Sequence, residues 1–259
     1  MNLKISHHIH SLQGKHALSS TQLHIRMTLV SSRRANANFL TGASTKAPWT
    51  VPFRRNPLFV SRSAEIAKLD DILSNDSVPS QVAIVGLGGV GKTQIALEYA
   101  YILRERHPDC AIFWIPVTNA ESMLEAYLQI AKELQIPNVG NETKSIQKIV
   151  QHRLSQESSG KWLLVLDNAD DISFWAKKTK DTAGPILPKS KHGSILFTTR
   201  SHKTAVELVG RNIVMVKAMN SALAKNLLGN TLIDRSLLAD ERATAELLRK
   251  LTYLPLAIV

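Results

Sequence analysis

The chain has 259 residues, 44% hydrophobic and 20% charged, enough for one large α/β core with or without a small second unit. Its formal charge of +11 is uneven: nine of the 32 Lys and Arg residues fall within residues 1–64, where there is no Asp or Glu, and the remainder is nearly neutral. A nucleic-acid-binding face on the folded part is not expected, nor is a membrane span, since the longest apolar runs fall far short of ~20 residues.

Residues 1–50 are rich in Ser, His and Ala and lack acids. The composition is compatible with a transit peptide, but there is no sustained amphipathic period, and a basic tail without structure or a wrongly chosen gene start is the preferred reading. His7, His8 and His10 lie in this tail, where nothing fixes ligands at the about 2.0–2.1 Å a metal needs. From about residue 57, apolar runs alternate with amphipathic segments, the order that builds a parallel sheet covered by helices. The pattern predicts a helix over 63–74, a strand over 81–85, a glycine loop and a helix over 92–105. A strand over 110–117 follows, with helices over 121–135 and 144–156 and a strand over 162–167. Cys110, the only cysteine, excludes an intrachain disulfide, fits a reducing cytoplasmic compartment, and at the head of its predicted strand reads as core filler rather than a catalytic thiol. Beyond 167 come a short helix near 171–178, a loop with Gly184, Pro185 and Pro188, a strand over 193–199, a helix over 202–209 and a strand over 212–216. Residues 220–252 read as helical.

The stretch Gly86-Leu87-Gly88-Gly89-Val90-Gly91-Lys92-Thr93 satisfies G-x-x-x-x-G-K-[ST] between a strand and a helix, the context that distinguishes a phosphate-binding loop from a chance match. Its glycines let backbone N–H groups turn inward as an anion nest, and the helix opening at Lys92 and Thr93, with Gln94 beside them, adds unpaired donors. Lys92 is expected on the β and γ phosphates and the Thr93 hydroxyl on Mg²⁺. The run KWLLVLDNADD (161–171) supplies a second metal-side carboxylate, Asp167, at the end of a buried strand. The next residue is Asn168, a neutral side chain that cannot serve as a general base, so at most slow hydrolysis is expected. Asp170 or Asp171 is the alternative base, although Asp171 also suits a helix cap.

These motifs, with VPFRRNPLFVSR (51–62), GSILFTTRS (193–201) and LTYLPLA (251–257), make the chain resemble the NB-ARC domains of the STAND class of signal-transducing P-loop ATPases, in the form seen in fungal NLR-like proteins. The resemblance covers about residues 50–259. It implies an α/β fold, a P-loop NTPase three-layer α/β/α arrangement with a mainly parallel sheet, over 51–219, followed over 220–259 by the beginning of a helical subdomain. It also implies that Val60 and Arg62 lie beside adenine and ribose, with Ser61 where the family has glycine. Arg200, which alone could equally be a solvated strand-end arginine, matches the arginine that senses the terminal phosphate. Pro255 matches the proline packed on adenine, with Tyr253 in place of a glycine. Lys92, Asp167 and Arg200 are then the residues with a catalytic or sensing role. The spacing of TKDT (179–182) gives no support for guanine.

The resemblance implies an ADP/ATP-binding switch that needs Mg²⁺, with a homo-oligomer or full-length NLR-like homologues as partners. A true ATPase and a truncated decoy of such homologues are the alternatives. Because the chain ends where the helical unit of that family begins to develop, an incomplete gene product and a reduced nucleotide-binding module are both open readings.

Overall fold

Alternation within each strand decides the layering. The computed structural model of the protein describes residues 46–74, 80–137, 143–171 and 187–259. The strands are β1 (Ser80–Val85), β2 (Ala111–Pro116), β3 (Trp162–Asp167), β4 (Gly193–Thr199) and β5 (Ile213–Met215). The helices are α1 (Ser63–Leu73), α2 (Lys92–Arg106), α3 (Ala120–Glu133), α4 (Thr143–Ser155), α5 (His202–Val209), α6 (Ser221–Thr231), α7 (Glu241–Lys250) and α8 (Pro255–Ile258). All pairings are parallel, in the order β2-β3-β4-β1-β5.

Side chains of successive strand residues point to opposite faces. Phe113, Ile115, Leu164, Leu166 and Phe197 pack with Met123, Tyr127 and Ile130 of α3 and with Val150 of α4. Ile112, Trp114, Leu163, Val165 and Leu196 pack on the other face with Leu69 of α1 and with Ile95, Leu97 and Tyr99 of α2. Both faces of the sheet are thus covered, the arrangement that all-parallel sheets require. The three-layer α/β expectation holds, and the sheet is wholly parallel. A third cluster joins Leu227 and Leu228 of α6, Leu248 of α7, Ile258 of α8, and Val60.

Predicted and observed elements differ mainly at their ends. The helical stretch expected over 220–252 is interrupted by a 3-10 turn at Arg235–Ala239, after which Asp240 caps α7 by accepting from the Ala243 N–H. Pro255 opens α8 at its first turn, where a missing N–H costs nothing. The expected helix near 171–178 lies outside the described residues from 172 onward, as do the tail histidines and the 179–182 segment. Cys110 is buried, and burial pushes its thiol up to about 11, which keeps it protonated and inert at neutral pH.

Strand order places the chemistry. β1, which leads into the glycine loop, lies between β4 and β5, and β4 separates it from β3. The segments that follow β1, β3 and β4 therefore emerge side by side at the carboxyl end of the sheet, where open parallel sheets bind ligands.

At the opposite end, β4 begins against the ring of Trp162, whose Nε1 donates to the Leu154 carbonyl at 3.0 Å. A Cβ on Gly193 would stand 2.0 Å from Trp162 Cζ2. Gly193→Ala is expected to destabilise the fold by about 1–3 kcal/mol through overpacking, read as a lower urea midpoint at unchanged slope.

Candidate functional site

Gly91, with φ of 97°, is the N-cap of α2 and makes no side-chain cap, so the first N–H groups of the helix point out of its end. Gly89, with φ of 76°, turns the loop just before. Together they create the inward-facing donors that suit a phosphate. Lys92 folds back over the loop, its Nζ donating to the carbonyls of Gly86 and Leu87 at 2.9 Å each. Burial lowers the Lys92 pKa below its ordinary value, against the attraction of Asp170 and Asp167.

A cleft of about 540 Å³ opens over this loop. Gly88, Gly89, Gly91, Lys92, Thr93 and Gln94 form one end of it. Val60, Arg62 and Pro255 lie in its wall, and Arg200 reaches its rim. Gly86 and Val90 are not part of the lining. Val90 is buried, and its carbonyl accepts from Arg62 Nη2 at 3.4 Å, so Arg62 also buttresses the loop from behind. Ser61 is exposed. Sequence reasoning missed Asn56, Phe59, Leu227, Leu256 and Val259 as further wall residues. Asn56 carries no local signal: its Nδ2 donates to Gln94 Oε1 at 2.9 Å, across 38 residues of chain.

Asp167 ends β3 beneath the loop. Thr93 Oγ1 donates to Asp167 Oδ1 at 3.0 Å, and the Thr198 hydroxyl donates to the same oxygen from β4. Burial pushes the Asp167 carboxyl above the usual carboxylate range, although hydrogen bonds from Thr198, Thr93 and the Asn168 N–H, together with Lys92, pull it down. A hydroxyl and a carboxylate meeting at this distance form the hard-oxygen donor pair that Mg²⁺ prefers, so the residues present fit that ion. Asn168 takes a left-handed φ of 64°, and its N–H donates to Thr198 Oγ1 at 3.0 Å.

Asp170 is engaged by Arg200. Its Oδ1 accepts from the Arg200 backbone N–H at 2.6 Å and from Thr199 Oγ1 at 3.1 Å, while Oδ2 accepts from Arg200 Nε at 2.6 Å. Burial would raise the Asp170 pKa, but these donors outweigh it and hold the carboxyl below the usual range. The lowered pKa makes Asp170 a weaker proton acceptor than an ordinary carboxylate, and both its oxygens are already engaged by Arg200 and Thr199.

The chain's end closes over the loop. The Leu256 N–H donates to the Gly89 carbonyl at 3.2 Å, and a Cβ on Gly89 would meet Leu256 Cβ at 2.9 Å. Thr252 and Tyr253, at φ of 52° and 55°, make the bend that delivers this segment. The backbone at Tyr253 explains why glycine suits the position, since glycine alone adopts it without strain.

A strand, a glycine loop with Lys-Thr on a helix end, and a carboxylate at the end of the next strand but one define a P-loop nucleotide-binding fold. Residues 62–237 match the NB-ARC domain, and the chain belongs to that family. It is 38% identical over 221 residues to a nucleotide-binding leucine-rich repeat (NLR)-like protein of Hyaloscypha variabilis, covering 81% of this chain and 22% of that protein. With the disease resistance RPP13-like protein 4 of Arabidopsis thaliana it shares 28% identity over 169 residues, covering 63% of this chain and 19% of that protein. The chain thus spans about a fifth of the length of these relatives. A Walker-type ATPase of Pyrococcus abyssi superposes with a TM-score of 0.50 at 14% identity, covering 81% of this chain and 68% of that one. A closed-state Hsp104 reconstruction superposes with a TM-score of 0.52 at 17% identity, covering 79% and 36%. At these identities the likeness is one of fold.

The raised Asp167 pKa has a consequence for stability. With the folded value above the unfolded one, the carboxyl favours the fold most when protonated, and that contribution is lost as pH rises from the ordinary carboxylate value through the raised one. Asp167→Asn, which keeps an acceptor for Thr93 and Thr198, should raise the thermal midpoint of the nucleotide-free protein at pH 7. The gain should shrink as pH falls toward 4; a gain that does not vary with pH would contradict the burial argument.

Proposed function

We propose that the chain is an adenine-nucleotide switch module that holds ADP or ATP and turns it over slowly or not at all. One observation carries this reading: the glycine loop, Thr93 with its hydrogen bond to the buried Asp167 behind it, and Arg200 converge at one end of a cleft whose other walls are largely apolar. In this reading Gly88, Gly89 and Gly91 through Gln94 hold the phosphates, with Gly86 and Val90 shaping the loop behind them, and Lys92 neutralises their charge. Thr93 and Asp167 would hold Mg²⁺, which would supply positive charge to offset that of the phosphates. Val60, Arg62 and Pro255 flank the base and ribose, and Arg200 meets the terminal phosphate.

Slow turnover follows from the position after Asp167. The Asn168 side chain cannot take a proton from water, its backbone N–H is bound to Thr198, and the nearby Asp170 is held by Arg200. Residues 51–219 form the nucleotide-binding unit in this assignment and 220–259 the first part of a helical unit. Because α8 touches the glycine loop directly, the two units share the nucleotide, and exchange of ADP for ATP acts through their differing contacts with it. Partners in this scheme are further copies of the chain or full-length NLR-like homologues, in a cytoplasmic setting.

Mass analysis of natively purified protein tests the reading. Wild type is expected to carry bound ADP, Lys92→Ala to lose it with at least tenfold weaker rebinding, and turnover to stay below ~1 per second, the low end of typical enzyme rates. Nucleotide-free wild type indistinguishable from Lys92→Ala would refute it.

A further inference from the structure

Arg200 has an unusual attachment for a group destined to meet a ligand. Its side chain is 65% exposed, yet two of its donors, the backbone N–H and Nε, are tied to one carboxylate, that of Asp170. Among the described residues, Nη1 and Nη2 make no hydrogen bond within the protein. Its Cδ lies 3.8 Å from where a Cβ on Gly88 would be, so the guanidinium stem runs along the phosphate loop. Asp170 is itself held firmly. Its N–H donates to the Asn168 carbonyl at 2.8 Å, Thr199 Oγ1 donates to its carboxylate, and Thr204 Oγ1 of α5 donates to its carbonyl at 3.3 Å.

We propose that Asp170 is a positioning residue for Arg200: it grips the guanidinium by Nε, fixes the stem beside Gly88, and leaves the two Nη groups for the terminal phosphate of a nucleoside triphosphate. The inference rests on the reading of the cleft as a nucleotide site in which Arg200 meets that phosphate. Its physical basis is preorganisation. A free arginine must give up rotamer freedom when it binds, whereas one already immobilised does not, so the gain goes to the ligand that reaches the Nη groups. A diphosphate, ending one group short, gains little. Asp170 therefore sets a preference for triphosphate over diphosphate without touching either.

Titration calorimetry with ADP and with a slowly hydrolysed ATP analogue, both with Mg²⁺, tests this on the full chain. Asp170→Asn keeps the shape and an acceptor for the Arg200 N–H but removes the charge opposite Nε. It is expected to weaken the analogue about tenfold and ADP less than twofold, and to add nothing further in an Arg200→Ala background. If Asp170→Asn is too unstable, Asp170→Glu, which displaces the carboxylate by one methylene, is read in the same way. Equal loss for both nucleotides would mean a merely structural role and overturn the proposal. A gain in analogue affinity would mean that Asp170 restrains Arg200 from the phosphate, and would overturn it as well. Should Arg200→Ala weaken the analogue selectively while the Asp170 variants do not, only the positioning role fails. Should Arg200→Ala leave both nucleotides unchanged, the phosphate-sensing reading of Arg200 falls, and the proposal with it.

Discussion

Everything at the carboxyl end of the sheet depends on accommodating one buried carboxylate. Asp167 sits at the end of a strand whose residues are all buried, and removing a charge from water is costly unless hydrogen bonds replace the lost hydration. The replacements come from different elements: a hydroxyl on β4 and a hydroxyl on the first turn of α2. Because β4 stands between β1 and β3, Thr198 is the natural bridge, and its own oxygen also receives the Asn168 N–H. One threonine therefore couples the conformation after β3 to the state of the carboxylate. The balance is incomplete, since Asp167 stays above the usual carboxylate range. A cation bound beside it would relieve that strain, the pattern expected where a fold gives up stability to hold a ligand.

A second constraint runs through the left-handed backbone at Thr252 and Tyr253. The bend ends α7 and turns the chain back so that the Met219 N–H meets the Tyr253 carbonyl and the Leu256 N–H meets the Gly89 carbonyl. Two hydrogen bonds thus fasten the helical segment, one to the segment before α6 and one to the glycine loop. The apolar cluster of α6, α7 and α8 includes Val60, from the N-terminal wall of the cleft. Segments separated by nearly 200 residues therefore enclose one ligand volume, and any shift of α8 must alter the loop it rests on.

Legibility varied with how local the signal was. The strands were readable because each is a short apolar run bounded by polar or glycine residues, and the glycine loop because its spacing reports a backbone shape. The helix start at Lys92 and the carboxylate at Asp167 followed from the same local rules. Asn56, Leu227 and Leu256 were not readable as cleft residues, because nothing near them in sequence distinguishes them from ordinary polar or helical positions. The partner of Asp170 was not readable for the same reason: nothing near it in sequence points to Arg200, 30 residues away.

By itself the sequence determined the class of fold and the glycine loop that begins the cleft, because both rest on patterns of a few consecutive residues: alternation in the strands, glycines where φ must be positive, and Lys-Thr at a helix start. Tertiary structure alone decided the strand order that sets β4 between the loop and Asp167, the closure of α8 onto Gly89, and the pairing of Asp170 with Arg200. Those are contacts between distant segments, fixed by which faces bury together and which buried charges find donors, and no local spacing encodes them.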